Sequence, residues 1–343
     1  MPANNEAKII SATLGALMSN LPPNCSVFVV ADNCVDDTAS LAAEAGATVL
    51  VRNDAARRGK GFALAHARDI LAQQSTDDIP ETVIVLDADC TTNDEALQIL
   101  AGAADDQPLQ ATYLLVPDRD APPMVQVSNF AFAIKNLVRQ RGLARLAGRV
   151  NLTGTGMAFP WAIFRDAPLA TADIVEDLSL GLDLARRGTP PQFAQEATVW
   201  SVASDLESTM TQRTRWEGGF MATARTYALP ALATAIRRAD PRGAWAALSL
   251  AVPPLTLLLT LDLIGLAALC GLAMVGTTPW PAIVLAGLIV AAMAGLALAW
   301  VAIGRPFLSG KAAIRLPVYL LWKVPLYMRL LANRPTAWLR PGR

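Results

Sequence analysis

Two long apolar stretches constrain this 343-residue chain more than any other feature: one from about Ala244 to Val275, the other from about Pro281 to Ile303. Each is long enough to cross a bilayer as a helix, and a spanning segment must satisfy its own backbone hydrogen bonds. The first is interrupted by Pro253-Pro254 and by one carboxylate, Asp262, which reads either as a tolerated polar residue or as a functional acid. The short turn Gly276–Trp280 makes the two a hairpin. Arg237, Arg238 and Arg242 precede it and Arg305, Lys311 and Arg315 follow it, so both ends are expected on the cytoplasmic side. The segment Ile314–Leu331 mixes Leu, Tyr and Trp with Lys323 and Arg329, the pattern of an amphipathic interfacial helix. No secretory leader is evident at the start. The expected layout is therefore a domain over residues 1–240 and a membrane region over 241–343.

Charge divides the chain at the same place. Acids and bases balance at 29 each, yet from Ala244 onward eight bases face one acid, leaving 28 acids against 21 bases before it. An acidic domain on a basic membrane region argues against nucleic acid as a main partner. Cys25, Cys34, Cys90 and Cys270 show no metal or disulfide spacing, which speaks for a reducing compartment. His66 is the only histidine, so histidine triads and multi-histidine metal sites are disfavoured.

The first 110 residues alternate helix and strand signals. Helices are expected at about Glu6–Met18, Thr38–Ala45 and Gly61–Gln73, and strands at Ser26–Ala31, Thr48–Arg52 and Val83–Leu86. This rhythm predicts an α/β fold, a Rossmann-like, mostly parallel sheet with helices on both faces. No strand is evident ahead of the first helix. Further on, a long helix is expected from Met124 to about Ala147, then a Gly/Thr-rich loop at 152–159. An acidic helix start follows at Ile174-Val175-Glu176-Asp177, running to an Arg187-Gly188 cap.

Val83-Ile84-Val85-Leu86-Asp87-Ala88-Asp89 closes a strand with two carboxylates, where ligands of open α/β sheets sit. One residue apart on extended chain, both point the same way and can hold a hard divalent cation, or simply solvate a strand end. Asp32 ends another strand, where it can accept from a nucleoside or serve only the turn. Gly59-Lys60-Gly61 fits either a phosphate contact or a helix cap. Asp177 suits a general base in a chain so poor in histidine, or merely complements a helix dipole. In Gln212-Arg213-Thr214-Arg215-Trp216 a guanidinium adjoins an indole, apt for a diphosphate and a sugar face, or for anchoring at a membrane.

Taken in order, Pro2-Ala3-x-Asn5-Glu6, Ala31-Asp32-Asn33-Cys34-x-Asp36-Asp37-Thr38, Gly59-Lys60-Gly61, Asp87-x-Asp89, Gly154-Thr155-Gly156, Glu176-Asp177 and Gln212-x-x-Arg215-Trp216 resemble family 2 glycosyltransferases. The resemblance covers about residues 1–220 and extends to the membrane-integrated branch that includes cellulose, chitin and hyaluronan synthases and ceramide glucosyltransferase. It implies a GT-A type fold and inverting transfer of a sugar from a nucleotide donor, UDP in the first instance. Pro2, Asn4, Glu6 and Asp32 would line the nucleoside pocket, with Lys60, Gln212 and Arg215 toward the diphosphate. Asp87 and Asp89 would hold the nucleotide sugar and its Mg²⁺ or Mn²⁺. Asp177 would be the base, and Trp216, Glu176 and Gly154 would meet the acceptor. The acceptor implied is a glycan or a lipid-linked one at the cytoplasmic face of the inner (plasma) membrane, in exopolysaccharide or glycolipid synthesis, with other polysaccharide-assembly proteins as potential partners. Two other readings are open: a non-catalytic membrane subunit with a degenerate nucleotide-sugar domain, and a nucleotidyltransferase that makes the sugar nucleotide.

Overall fold

The computed structural model describes residues 1–75, 79–102, 107–171, 173, 175–202 and 206–332, with side chains omitted at 206–215, 322 and 329–332. Its first layer comprises β1 (Pro2–Ala3), α1 (Ile10–Ser19), β2 (Phe28–Asp32), α2 (Thr38–Glu44), β3 (Thr48–Arg52) and α3 (Lys60–Leu71). The three strands form a parallel sheet in the order β1-β2-β3. Helix α1 buries Ile10, Thr13, Leu14 and Leu17, one stripe at helical spacing, and β2 buries Val29–Ala31. A strand does stand ahead of α1, contrary to the sequence reading: Pro2 and Ala3 pair with Val30 and Ala31. Two residues are too few to show an alternating pattern. Helix α1 also starts later than expected, because Asn5 turns the chain at φ 55° and the Glu6 carbonyl accepts from Ile9 and Ile10 N–H.

The second layer holds β4 (Thr82–Val85), β5 (Cys90–Thr92), α4 (Ala96–Gly102), β6 (Leu109–Leu115) and α5 (Pro123–Ala133). Helix α5 continues through a π-helical turn (Ile134–Val138) into α6 (Arg139–Ala147), followed by β7 (Met157–Pro160), α7 (Trp161–Arg165), α8 (Glu176–Arg186) and β8 (Gln192–Ser201). The five strands are ordered β4-β7-β6-β8-β5. Only β6 and β8 run parallel; β4 pairs antiparallel with β7, Val83 opposite Phe159. The Val83 strand is thus an edge of a mixed sheet and not a buried parallel strand, with Thr82–Ile84 half-buried. Its partner β7 comes directly after the glycine loop, which brings the chain back in the opposite sense.

The remaining elements are α9 (Leu206–Arg237), α10 (Pro241–Ala251), α11 (Leu255–Met274), α12 (Trp280–Ala299), α13 (Gly310–Ala313) and α14 (Leu316–Ala332). The apolar stretch expected as one span from about 244 is divided at Pro253-Pro254. Its first part is α10, capped by Asp240, whose carboxylate accepts from Gly243 N–H at 2.9 Å. There Ala246 packs with Leu143 and Ala147 of α6. Helices α11 and α12 are long and apolar enough to cross a membrane. Leu261, Ile264, Leu272, Ile283, Leu288 and Val290 all lie exposed on them, an arrangement suited to hydrocarbon and not to water. Asp262 sits half-buried within α11. Helix α14 buries Tyr319, Lys323, Leu326 and Tyr327 and presents Val318, Leu321 and Met328 outward, so the Lys323 charge faces the protein and not a membrane surface.

Candidate active site

The two carboxylates after β4 are fixed by the residue between them. Ala88 is buried in an apolar cluster with Ala3, Ile10 and Val29, which sets Asp87 and Asp89 beside β1. Asp87 N–H donates to the Thr155 hydroxyl at 3.0 Å, and its carboxylate pairs with Lys60 at the start of α3. The Lys60 ammonium also donates to the Gly154 carbonyl at 2.6 Å. The end of β4, the start of α3 and the glycine loop are thereby tied together.

Helix α8 delivers two more carboxylates to the same place. Gly154 lies at φ 92°, and a Cβ there would stand 3.3 Å from Asp177 Oδ2 and 3.8 Å from Lys60 Nζ, so glycine suits both the backbone and the space. Asp177 Oδ1 accepts from Leu178 N–H at 2.8 Å. Burial pushes the Asp177 carboxyl up from the ordinary aspartate range, opposed by the charges of Lys135 and Lys60. Glu176 is pushed up to about 8, by burial first and then by the adjoining Asp177 charge. A Glu176 that keeps its proton at neutral pH spares Asp177 a like charge, the pattern by which paired carboxyls divide their roles. Burial alone would lower Lys60, but Asp87, Glu176 and Asp177 outweigh it and hold the ammonium charged.

Asp87, Asp89 and Cys90 place potential ligand atoms within 4.8 Å of one another. Burial and the two carboxylates raise the Cys90 thiol well above its usual range, and it receives a hydrogen bond from the Thr155 hydroxyl at 3.5 Å. A protonated thiol is a poor ligand, so the donor set offered is two carboxylates, the hard-oxygen chemistry that suits Mg²⁺ or Mn²⁺.

Asp32 belongs to a different network. It ends β2 opposite Arg52 of β3, and their side chains form a buried ion pair at 2.6 Å. Asn33 Nδ2 donates to the same oxygen at 2.9 Å, and Asn4 Nδ2 donates to the Asp32 carbonyl at 2.7 Å. Glu6 is buried next to this turn, its N–H donating to Thr38 Oγ1 at 2.8 Å. Pro2, Asn4, Glu6 and Asp32 thus gather around the β1–β2 ends, with Arg52 as an organiser that the sequence reading missed. A single arginine at a strand end gives no signal until the cross-strand register is known.

The side chains of Gln212 and Arg215 lie outside the described residues, although their backbone is part of α9. Trp216 is half-buried with its ring 5.9 Å from that of Phe132, so it packs inward. The adjoining Glu217 accepts an ion-paired hydrogen bond at 2.5 Å from Lys323 of α14, a base with 1 % side-chain exposure. Glu217 was not singled out in the sequence, and Lys323, expected on an interfacial helix at the membrane surface, is instead buried against the protein. A base in a mostly apolar helix, at helical spacing from Tyr319, Leu326 and Tyr327, is the signal that marks such a residue.

The sequence model described as "Glycosyltransferase like family 2" matches residues 1–219. Among solved structures, glucosyl-3-phosphoglycerate synthase from Mycobacterium tuberculosis, in complex with Mg²⁺ and uridine-diphosphate, is similar at 19 % identity. That match covers 64 % of this chain and 76 % of that one, with a TM-score of 0.43. Mannosyl-3-phosphoglycerate synthase from Rubrobacter xylanophilus is similar at 17 % identity over 66 % and 72 % of the two chains, with a TM-score of 0.45. No curated protein sequence matches the chain.

Proposed function

We propose, because this chain belongs to glycosyltransferase-like family 2 and carries a GT-A type α/β fold, that it moves a hexose with inversion from a nucleotide donor, UDP in the first instance, to a lipid-linked or polysaccharide acceptor. The reaction takes place at the cytoplasmic face of the inner membrane, with α11 and α12 as the spanning hairpin. The observation that carries this reading is the convergence of Asp87, Lys60, Gly154 and Asp177 from four separate segments.

Asp89 and Asp87 would hold Mg²⁺ or Mn²⁺, which supplies positive charge to the departing diphosphate. Lys60 adds a fixed ammonium beside them, and Gln212 and Arg215 of α9 would join it at the diphosphate. Pro2, Asn4, Glu6 and the Arg52-anchored Asp32 shape the nucleoside side. Asp177 takes the acceptor proton as the acceptor oxygen bonds to the anomeric carbon and the bond to the diphosphate breaks. Its raised basicity suits it to that task better than a solvated aspartate. Trp216 offers a flat apolar face to the acceptor, with Glu176 and Gly154 nearby. The non-catalytic reading drew on the apparent lack of a first strand, and the pairing of Pro2–Ala3 with β2 removes that ground.

The test is a donor screen on purified membranes, following nucleoside diphosphate release with and without Mn²⁺. Asp177→Asn is expected to abolish transfer while UDP still binds. Near-normal turnover by that variant refutes the base assignment, and pyrophosphate as the product refutes the reading as a transferase of sugars.

A further inference from the structure

A cavity of about 450 Å³ lies among α5, the π-helical turn, α6, α9, α10 and the start of α11. Its walls are mainly apolar, Leu143, Leu146, Phe220, Trp245 and Leu248 among them. The same lining includes Leu255, Thr256 and Leu258, the first residues of a helix long and apolar enough to cross a membrane. It also includes Trp216, Lys135 and Phe220, and Phe220 packs in one apolar cluster with Val175 and Leu178, the residues that flank Glu176-Asp177. One continuous wall therefore joins the base of the spanning hairpin to the neighbourhood of the catalytic carboxylate.

We propose that this cavity admits the hydrocarbon end of a membrane lipid whose uncharged hydroxyl head group is the sugar acceptor. The inference rests on the glycosyltransferase reading above and narrows its acceptor. A growing glycan needs a wall rich in unspent hydrogen-bonding groups, whereas in this lining Glu217 Oε2 is the one buried side-chain oxygen without a hydrogen-bond partner among the described residues. The Arg139 guanidinium donates to the Ser249 carbonyl and lies over the Phe220 ring at 5.2 Å. The Thr256 hydroxyl bonds the Tyr327 hydroxyl, and Glu217 pairs with Lys323. A polyisoprenyl phosphate is disfavoured for a different reason. Its phosphate is already ionised at neutral pH and makes no use of a base, while it needs cationic clamps of the kind Arg139 and Lys135 would supply were the first not bonded to Ser249 and the second not balanced by the carboxylate of Asp177. A hydroxyl needs both a base and a dry approach. The step balances simply: the lipid O–H gives its proton to Asp177, its oxygen bonds to the anomeric carbon, and the electron pair of the broken bond leaves with the diphosphate.

The test uses the full-length protein in lipid nanodiscs. Dioleoylglycerol, a polyisoprenyl phosphate and a soluble oligosaccharide are compared as acceptors for labelled sugar from the donor found in the screen. The expected result is a label soluble in organic solvent and at least a tenfold stimulation of UDP release by dioleoylglycerol alone. Stimulation by only the phosphate or the oligosaccharide overturns the inference and leaves the transferase reading intact. Gly142 lines the cavity and a Cβ there meets nothing within 4 Å, so Gly142→Phe is expected to raise the dioleoylglycerol concentration for half-maximal transfer about tenfold. An unchanged value counts against the proposal. A photoreactive diacylglycerol with a diazirine in its acyl chain tests the native protein with no donor present. Labelling of α6 and α10 that unlabelled diacylglycerol competes away supports the site, even if no donor is ever turned over. Labelling confined to α11 and α12 overturns it.

Discussion

Breaking the Lys323–Glu217 pair tests how α14 governs the site. Lys323 is 1 % exposed and Glu217 15 %, and the ammonium lies 5.7 Å and 6.0 Å from the Tyr319 and Tyr327 rings. Replacing one partner leaves the other charge buried and uncompensated, at a cost of about 3–5 kcal/mol. Lys323→Met keeps the aliphatic stem, so the loss reports the charge and not the packing. For a chain of this size the corresponding fall in melting midpoint is about 4–7 °C. Since Glu217 adjoins Trp216, transfer should fall as well. The double variant Lys323→Met/Glu217→Met removes both charges from the same apolar surroundings and should recover most of the lost stability, giving a coupling of at least about 2 kcal/mol. The assay is thermal unfolding in detergent or nanodiscs, run on wild type, both single variants and the double variant. Single variants that each cost under about 1 kcal/mol would refute the reasoning, as would a double variant whose loss equals the sum of the two.

Three other outcomes follow from the site. Lys135→Met removes a charge that lowers the Asp177 carboxyl, so the acid limb of the pH–rate profile should move to higher pH; an unmoved limb separates Lys135 from the base. Glu176 is raised from 4.5 to about 8 in the folded chain, so its contribution to stability is full below pH 4.5 and is lost as the pH rises through about 8. Melting across that range should show the decline, and Glu176→Gln should flatten it. Gly154→Ala forces a side chain onto φ 92° and against Asp177, and is expected to cost about 1–2 kcal/mol and to cut transfer at least tenfold in a UDP-release assay.

Where local pattern and burial coincide, the sequence was a good guide: β2, β3, α2, α3 and the second apolar helix, α12, lie close to their expected positions. Asp87, Lys60 and Asp177 could be singled out because each lies at or just beyond the end of an element, where side chains can face a common crevice, whereas Gly154, in the loop before β7, came only with the family resemblance. Long-range pairing was not legible. The antiparallel partner of β4 is a four-residue strand hidden after a glycine loop, so the Val83 run read as a buried parallel strand when it is an antiparallel edge. The Arg52–Asp32 pair depends on cross-strand register, and the Glu217–Lys323 pair joins residues 106 positions apart. The Pro253-Pro254 break was visible, yet hydropathy alone carried the span across it.

The π-helical turn at Ile134–Val138 gives the chain an unusual intolerance of length. One extra residue within an otherwise α-helical rod advances everything beyond it by roughly 100° around the axis. Helix α5 can thereby lie on β6 while α6, on the same rod, turns Leu143 and Ala147 toward Ala246 of α10. Deleting a single residue between 134 and 138 would shorten the rod by only about 1.5 Å, yet rotate those two side chains off their partner. Substitution at this turn changes a side chain, whereas insertion or deletion changes which way half a helix faces.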